Sequence, residues 1–249
     1  DVASACTTVS AVIGQGIIPA ALEMMDSASI RAVQRVMDAG YPEDAGAVLL
    51  IELEGLREEV EEVGAAVEAA LWDTGATQVR VAETAEERAS LWAGRKGALG
   101  ALGSVAPNYY LVDGVVPRTR LAQVLAQVAQ IGEKHGVVIA NVFHAGDGNL
   151  HPCLLFDERQ PGALQKIIEV GAEVLKVCVA AGGTLTGEHG VGLEKKALMP
   201  LVFSEADLAA MRRVRDAFAP ANRLNPGKIF PDGVPYQPSP HHAGPGLSI

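Results

Sequence analysis

Apolar and polar positions along this chain follow two periods, and the switches between them mark its elements. Residues 28–39 read as a helix, with Ser27 as its N-cap after Asp26. Gly40-Tyr41-Pro42 stops it, because a proline pushes the preceding residue out of the α region. Residues 47–54 form a nearly continuous apolar run, as a strand would. Residues 56–72 are a strongly acidic amphipathic helix, and residues 78–82 alternate in the manner of a strand. The helix expected at 84–100 opens on Thr84-Ala85-Glu86-Glu87, a capping-box pattern. A second round follows, with a short strand at 109–112, a helix at 118–135, strands at 137–143 and 150–156, and a long helix at 162–181. Residues 182–203 are glycine-rich and read as a loop, 204–218 as a last helix, and 225–230 as the close of the ordered part. From residue 231 onward Pro, Gly and His dominate. That tail, with His241 and His242, buries too little apolar surface to offset its ordering entropy.

This order of elements suggests an α+β fold, with a mainly antiparallel sheet, helices packed on one face and a short C-terminal helical segment. A doubly wound parallel sheet is disfavoured, because Phe143 and Leu150 are joined by a link too short for a crossover.

Composition narrows the function. The 249 residues carry 20 Lys+Arg against 30 Asp+Glu, a formal charge of −10. That argues against nucleic acid as a partner, which needs clustered cations. Three scattered cysteines make no disulfide framework and fit a reducing, cytoplasmic setting. Apolar runs are broken well short of a membrane span. The chain starts at Asp1 without a Met, which suggests a piece of something longer.

The informative stretch is His144-Ala-Gly-Asp-Gly-Asn-Leu-His151. Asp-Gly between two β-rich runs is a strong hairpin signal. With Asp147 and Gly148 at the centre of the turn, counting outward places His144 opposite His151, on the same face of the sheet. Two imidazoles so placed can share a metal ion. The best third ligand is Glu188, in Gly187-Glu188-His189-Gly190. In an extended segment Glu188 and His189 point to opposite sides, leaving His189 for a substrate proton. Two His and one carboxylate with open positions form a recurrent catalytic metal site. Either His alone reads more simply as a packing residue; together, across one turn, they favour a metal. Arg95 has a plainer reading as a solvated helix residue, and His135 suits the end of its helix.

These stretches, HAGDGNLHP (144–152) and GEHGVG (187–192), together with LWAGRK (91–96), NYYLVDGVVP (108–117) and NPGK (225–228), resemble the C-terminal half of FAD-linked oxidases. The resemblance runs from about residue 16 to 230. It is nearest to the FAD-linked subunit of bacterial glycolate oxidases, which are related to D-lactate and D-2-hydroxyglutarate dehydrogenases. It implies a ferredoxin-like cap that covers a flavin whose main site lies in a separate N-terminal domain. It also divides the chain into a lead-in (1–20), a substrate- and metal-binding cap (21–203), a flavin-covering segment (204–230) and a flexible tail (231–249).

By the same resemblance His144, His151 and Glu188 hold a divalent Zn, Mn or Fe. His189 takes the substrate hydroxyl proton while hydride passes to flavin N5. Arg95 and Tyr110 bind substrate, Arg95 as a bidentate carboxylate clamp. Asn225, Gly187 and Gly190 lie against the FAD. Cys153 stands where some relatives carry Asn, and Leu111 where D-2-hydroxyglutarate dehydrogenases carry Lys. The lost cation points to a small 2-hydroxy acid, glycolate or lactate. Implied partners are an FAD-binding domain or other oxidase subunits, through which the protein would sit peripherally on the inner membrane, and a second copy in a homodimer. Two other classes use the same residues: a stand-alone metal-dependent hydrolase, and a non-catalytic assembly module in which the histidines only pack.

Overall fold

A computed structural model describes residues 1–42, 44–218 and 223–231. The expected tail, with His241 and His242, lies outside the described residues apart from Pro231. Within these residues seven strands pair antiparallel: β1 (Ala21–Asp26), β2 (Ala47–Glu52), β3 (Asn108–Leu111), β4 (Gly114–Val115), β5 (Ile139–His144), β6 (Asn149–Leu150) and β7 (Pro152–Phe156). The order runs β2-β1-β5, and β5 then meets β7 at one end and β6 at the other. β3 lies outside β7, and β4 outside β6. Leu111 pairs with Cys153 and Gly114 with Leu150, which is one shared register. The outer pair is therefore a single long ribbon, interrupted where Asp113 falls opposite His151. The strand expected at 150–156 is split at that histidine.

Among the described residues seven α-helices pack around the sheet: α1 (Val2–Gly14), α2 (Ser27–Gln34), α3 (Arg57–Asp73), α4 (Ala85–Ala101), α5 (Leu121–His135), α6 (Ala163–Ala180) and α7 (Glu205–Phe218). The α+β class and the antiparallel sheet stand as expected, but helices cover both faces rather than one. Successive strand residues are apolar, so each face must be buried. Leu22, Met24 and Phe143 enter a large core with Val9 and Val12 of α1, Val128 of α5 and Val174 of α6. Met25 and Val142 enter a smaller core with Ile30 and Val33 of α2 and Ala98 of α4. Each fully buried Val, Ile, Met or Phe contributes roughly 1.5–3 kcal/mol.

Three local differences have clear causes. The cap of α2 is Asp26 rather than Ser27: its Oδ1 accepts from Ser29 N–H at 2.9 Å, and its Oδ2 accepts both the backbone and side-chain amides of Asn141 on β5. Residues 78–82 join no strand ladder, because alternation alone supplies no neighbour. Residues 2–14, inside the expected lead-in, are a helix of the main core, with Val9 and Val12 fully buried.

All three cysteines are buried free thiols. Burial pushes Cys6 up to about 11, and Cys153 and Cys178 each up to about 12. The thiolate is the reactive species. A disulfide reagent at pH 8 is therefore expected to label almost none in the folded protein and all three in denaturant. Rapid labelling of one thiol without denaturant would contradict this packing.

Candidate functional site

The site lies on the face of the smaller core, at the sheet end where β5 turns into β6. Gly148 makes the turn, with φ of 78° and its α-carbon so close to Val116 that a Cβ would come within 2.2 Å of the carbonyl oxygen. The observed register pairs His144 with Asn149, so four residues form the link instead of two. His144 is therefore diagonal to His151, not directly opposite. A slip of two residues preserves the face, whereas a slip of one would have reversed it. The two rings still meet edge to face, with centroids 5.3 Å apart.

Glu188 is brought among three imidazoles. Its Oε1 lies 3.0 Å from His151 Nε2, 3.6 Å from His189 Nε2 and 3.8 Å from His144 Nε2. The segment bends rather than running extended, so Glu188 and His189 turn the same way. The His189 ring stacks on His151 at 5.2 Å, with planes 6° apart. Gly187 permits this, since a Cβ there would strike the Asn149 side chain at 2.4 Å.

His144, His151 and Glu188 offer one ligand atom each within 4.8 Å of one another. Ligands about 2.0–2.1 Å from a shared cation stand about 3–3.5 Å apart, which the spacings around Glu188 bracket. His144 uses Nδ1 on Glu23 Oε1 at 2.7 Å, which leaves Nε2 toward the cluster. Carboxylate support on the far nitrogen is the usual arrangement behind a metal-binding His. A bare His151 Nε2 facing a carboxylate oxygen at 3.0 Å is repulsive unless a proton or cation lies between. The donor set fits a divalent cation.

Glu23 joins the next shell together. Arg95, on α4, places Nε and Nη2 on Glu23 Oε2 at 3.1 and 2.7 Å. Burial pushes the Glu23 carboxyl up, but the His144 hydrogen bond and the Arg95 charge outweigh it and hold it below its ordinary value. His144 is raised by its bond to Glu23, which overcomes partial burial. His151 is lowered by burial and by the neighbouring His144, so the two rings differ in their hold on a proton.

Other expected site residues fall differently. Tyr110 points to the opposite face, against Gly171 of α6, where the larger core lies. Its neighbour Tyr109 is the one on the site's face. Arg95 reaches the cluster, but the fork meant for a bidentate clamp already serves Glu23. Asn225, with φ of 44°, accepts from Lys228 Nζ at 3.1 Å in an exposed turn. That turn docks on the 190–196 segment through Ile229 N–H to Gly192 O and Lys196 Nζ to Gly227 O. Gly190 has φ of 83° and open space around its α-carbon.

The family described as FAD linked oxidases, C-terminal domain, matches residues 1–229, and the chain belongs to it. Among its relatives, glycolate oxidase subunit GlcD of Escherichia coli K12 is 45% identical over 93% of this chain and 46% of its own length. GlcD of Bacillus subtilis is 37% identical over 92% of the chain and 49% of its own length. A probable mitochondrial D-lactate dehydrogenase of Danio rerio is 28% identical over 92% and 46%. The chain thus spans about half the length of these relatives. Among solved structures, p-cresol methylhydroxylase with substrate bound superposes with a TM-score of 0.68 over 92% of this chain and 50% of that one, at 13% identity, a likeness of fold alone. Among the described residues no helix is long and apolar enough to cross a membrane.

Proposed function

We propose that this chain is the substrate- and metal-binding half of an FAD-linked 2-hydroxy-acid oxidoreductase of the glycolate or D-lactate type. The observation that carries the reading is the Glu188 carboxylate set among His144, His151 and His189, with Glu23 behind His144. His144 Nε2, His151 Nε2 and Glu188 would hold a divalent Zn, Mn or Fe, which when bound lowers the pKa of a substrate hydroxyl. His189 then accepts that proton at Nε2, a general-base role suited to an imidazole near neutral pH. A flavin held mainly by a separate domain would supply the acceptor for the hydride of the substrate carbon. Asn225, Gly187 and Gly190 would lie against that flavin.

Arg95 makes neither of its two Glu23 bonds with Nη1. Its contact with the substrate carboxylate would then be a single-point one through Nη1. Leu111, on the site's face, is apolar and partly buried. A second carboxylate on the substrate would find no partner in it, which supports a small monocarboxylic 2-hydroxy acid.

Elemental analysis of the purified chain is expected to find near-stoichiometric divalent metal, lost in His144→Ala. Oxidation of glycolate or D-lactate is expected only when a flavin-binding half is supplied. Metal absent from both proteins, or turnover by this chain alone, would overturn the reading.

A further inference from the structure

The segment carrying Glu188 and His189 has no regular structure, yet one buried carboxylate holds it at four consecutive residues. Asp113 is fully buried. Its Oδ1 accepts from Gly187 N–H at 3.0 Å and Glu188 N–H at 3.2 Å. Its Oδ2 accepts from His189 N–H at 3.1 Å and from the Thr186 hydroxyl. Lys195 Nζ donates to the same Oδ2 and to the Asp113 carbonyl, both at 2.9 Å, and is itself buried. Thr186 Oγ1 in turn accepts from Gly190 N–H at 2.8 Å. Upstream, Thr184 exchanges backbone hydrogen bonds with Val115 at 2.9 and 3.2 Å.

Successive backbone N–H groups curled round an anion form a nest, and here the anion is a side chain of the same fold. The interruption between β3 and β4 is what frees Asp113 to fill it. A buried ion pair that served only stability could be exchanged for apolar residues of similar volume. Here that exchange would take their common acceptor from three backbone amides, all in the residues that aim the site.

We propose that Asp113, neutralised by Lys195, is the positioning residue that shapes the 186–190 turn and so sets Glu188 and His189 against His144 and His151. The metal-affinity consequence rests on the functional reading above; the shape of the turn does not.

The test compares Asp113→Asn with the unaltered chain by amide hydrogen exchange and by Zn²⁺ affinity from chelator competition. An Asn amide keeps one acceptor and turns an N–H₂ toward the other donors, so the nest cannot close. The amides of 187–189 are expected to exchange at least about 100-fold faster while the β1–β5 ladder changes by less than about threefold. Zn²⁺ affinity should fall about 10–100-fold, the usual cost of losing a residue that orients ligands. Unchanged protection at 187–189 would overturn the proposal. So would an equal loss across the β1–β5 ladder, since that marks a residue that only stabilises the fold. If Asp113→Asn does not fold, Thr186→Val is read the same way, with an expected acceleration of about tenfold at 187–190 and no change there as the refuting result. If the unaltered chain binds no Zn²⁺, the metal-site reading fails while the exchange experiment still decides this one.

Discussion

Glu188→Gln is expected to lower the affinity of this chain for Zn²⁺ by more than about 100-fold and leave its unfolding midpoint almost unchanged. Losing a group that merely orients a ligand costs about 10–100-fold, so losing a charged ligand itself should exceed that range. Glutamine keeps the volume and one acceptor, but removes the negative charge that three imidazoles surround at 3.0 to 3.8 Å. Glu188 is about half exposed, so no buried charge is stranded and the fold has little to lose. Chelator competition gives the affinity and urea denaturation the stability. An affinity within threefold of the unaltered chain would remove Glu188 from the ligand set and leave the two histidines as a packed pair. A large loss of stability would instead make Glu188 a structural partner of the histidines.

The sequence made this cluster visible because its members lie in two short, glycine-flanked stretches. Counting outward from Asp-Gly puts His144 two residues away from its observed partner, yet the two rings still share a face, since period-two alternation is indifferent to an even slip. Asp-Gly favours a two-residue turn, whereas here Gly148 packs against the Val116 carbonyl and the link holds four residues. Tyr110 shows the opposite case. One residue decides the face of a strand, and without the register Tyr109 and Tyr110 cannot be told apart.

Glu23 carries no such local signal. Ala-Leu-Glu-Met-Met-Asp consists of residues that favour helices or no particular state, and its apolar positions do not alternate. It becomes β1 only because β2 and β5 pair with it on both sides, a tertiary cause with no local trace. Asp113 was visible within NYYLVDGVVP, but its role depends on a segment more than seventy residues away. Long-range hydrogen bonding of that kind leaves no spacing to read.

The consequence of Glu23 can be measured directly. Glu23→Ala is expected to destabilise the chain by about 3–5 kcal/mol, the cost of leaving one member of a buried pair without its partner. Arg95 and Glu23 have side chains only 14% and 9% exposed, so water does little to screen or replace the lost contact. In a protein of this size that loss lowers the unfolding temperature by about 6–20 °C. The variant also frees the His144 ring, so Zn²⁺ affinity should fall about 10–100-fold. The pH dependence has a definite sign. Because the Glu23 carboxyl titrates below its ordinary value in the folded chain, its contribution is in place above that ordinary value and is lost as pH falls through the folded one. His144, raised by the same bond, contributes fully below its own ordinary value and loses that contribution as pH rises through the folded one. Glu23→Ala should therefore lie furthest below the unaltered chain between the ordinary values of the carboxyl and the imidazole and approach it in acid. The double variant Glu23→Leu/Arg95→Met separates the two roles, since an apolar pair can refill the space without charge. It is expected to recover most of the stability and none of the metal affinity. Denaturation and chelator titration on the same samples decide the matter: a Glu23→Ala chain within 1 kcal/mol of the original would show the pair to be dispensable, and recovered Zn²⁺ affinity in the double variant would show that His144 needs no carboxylate behind it.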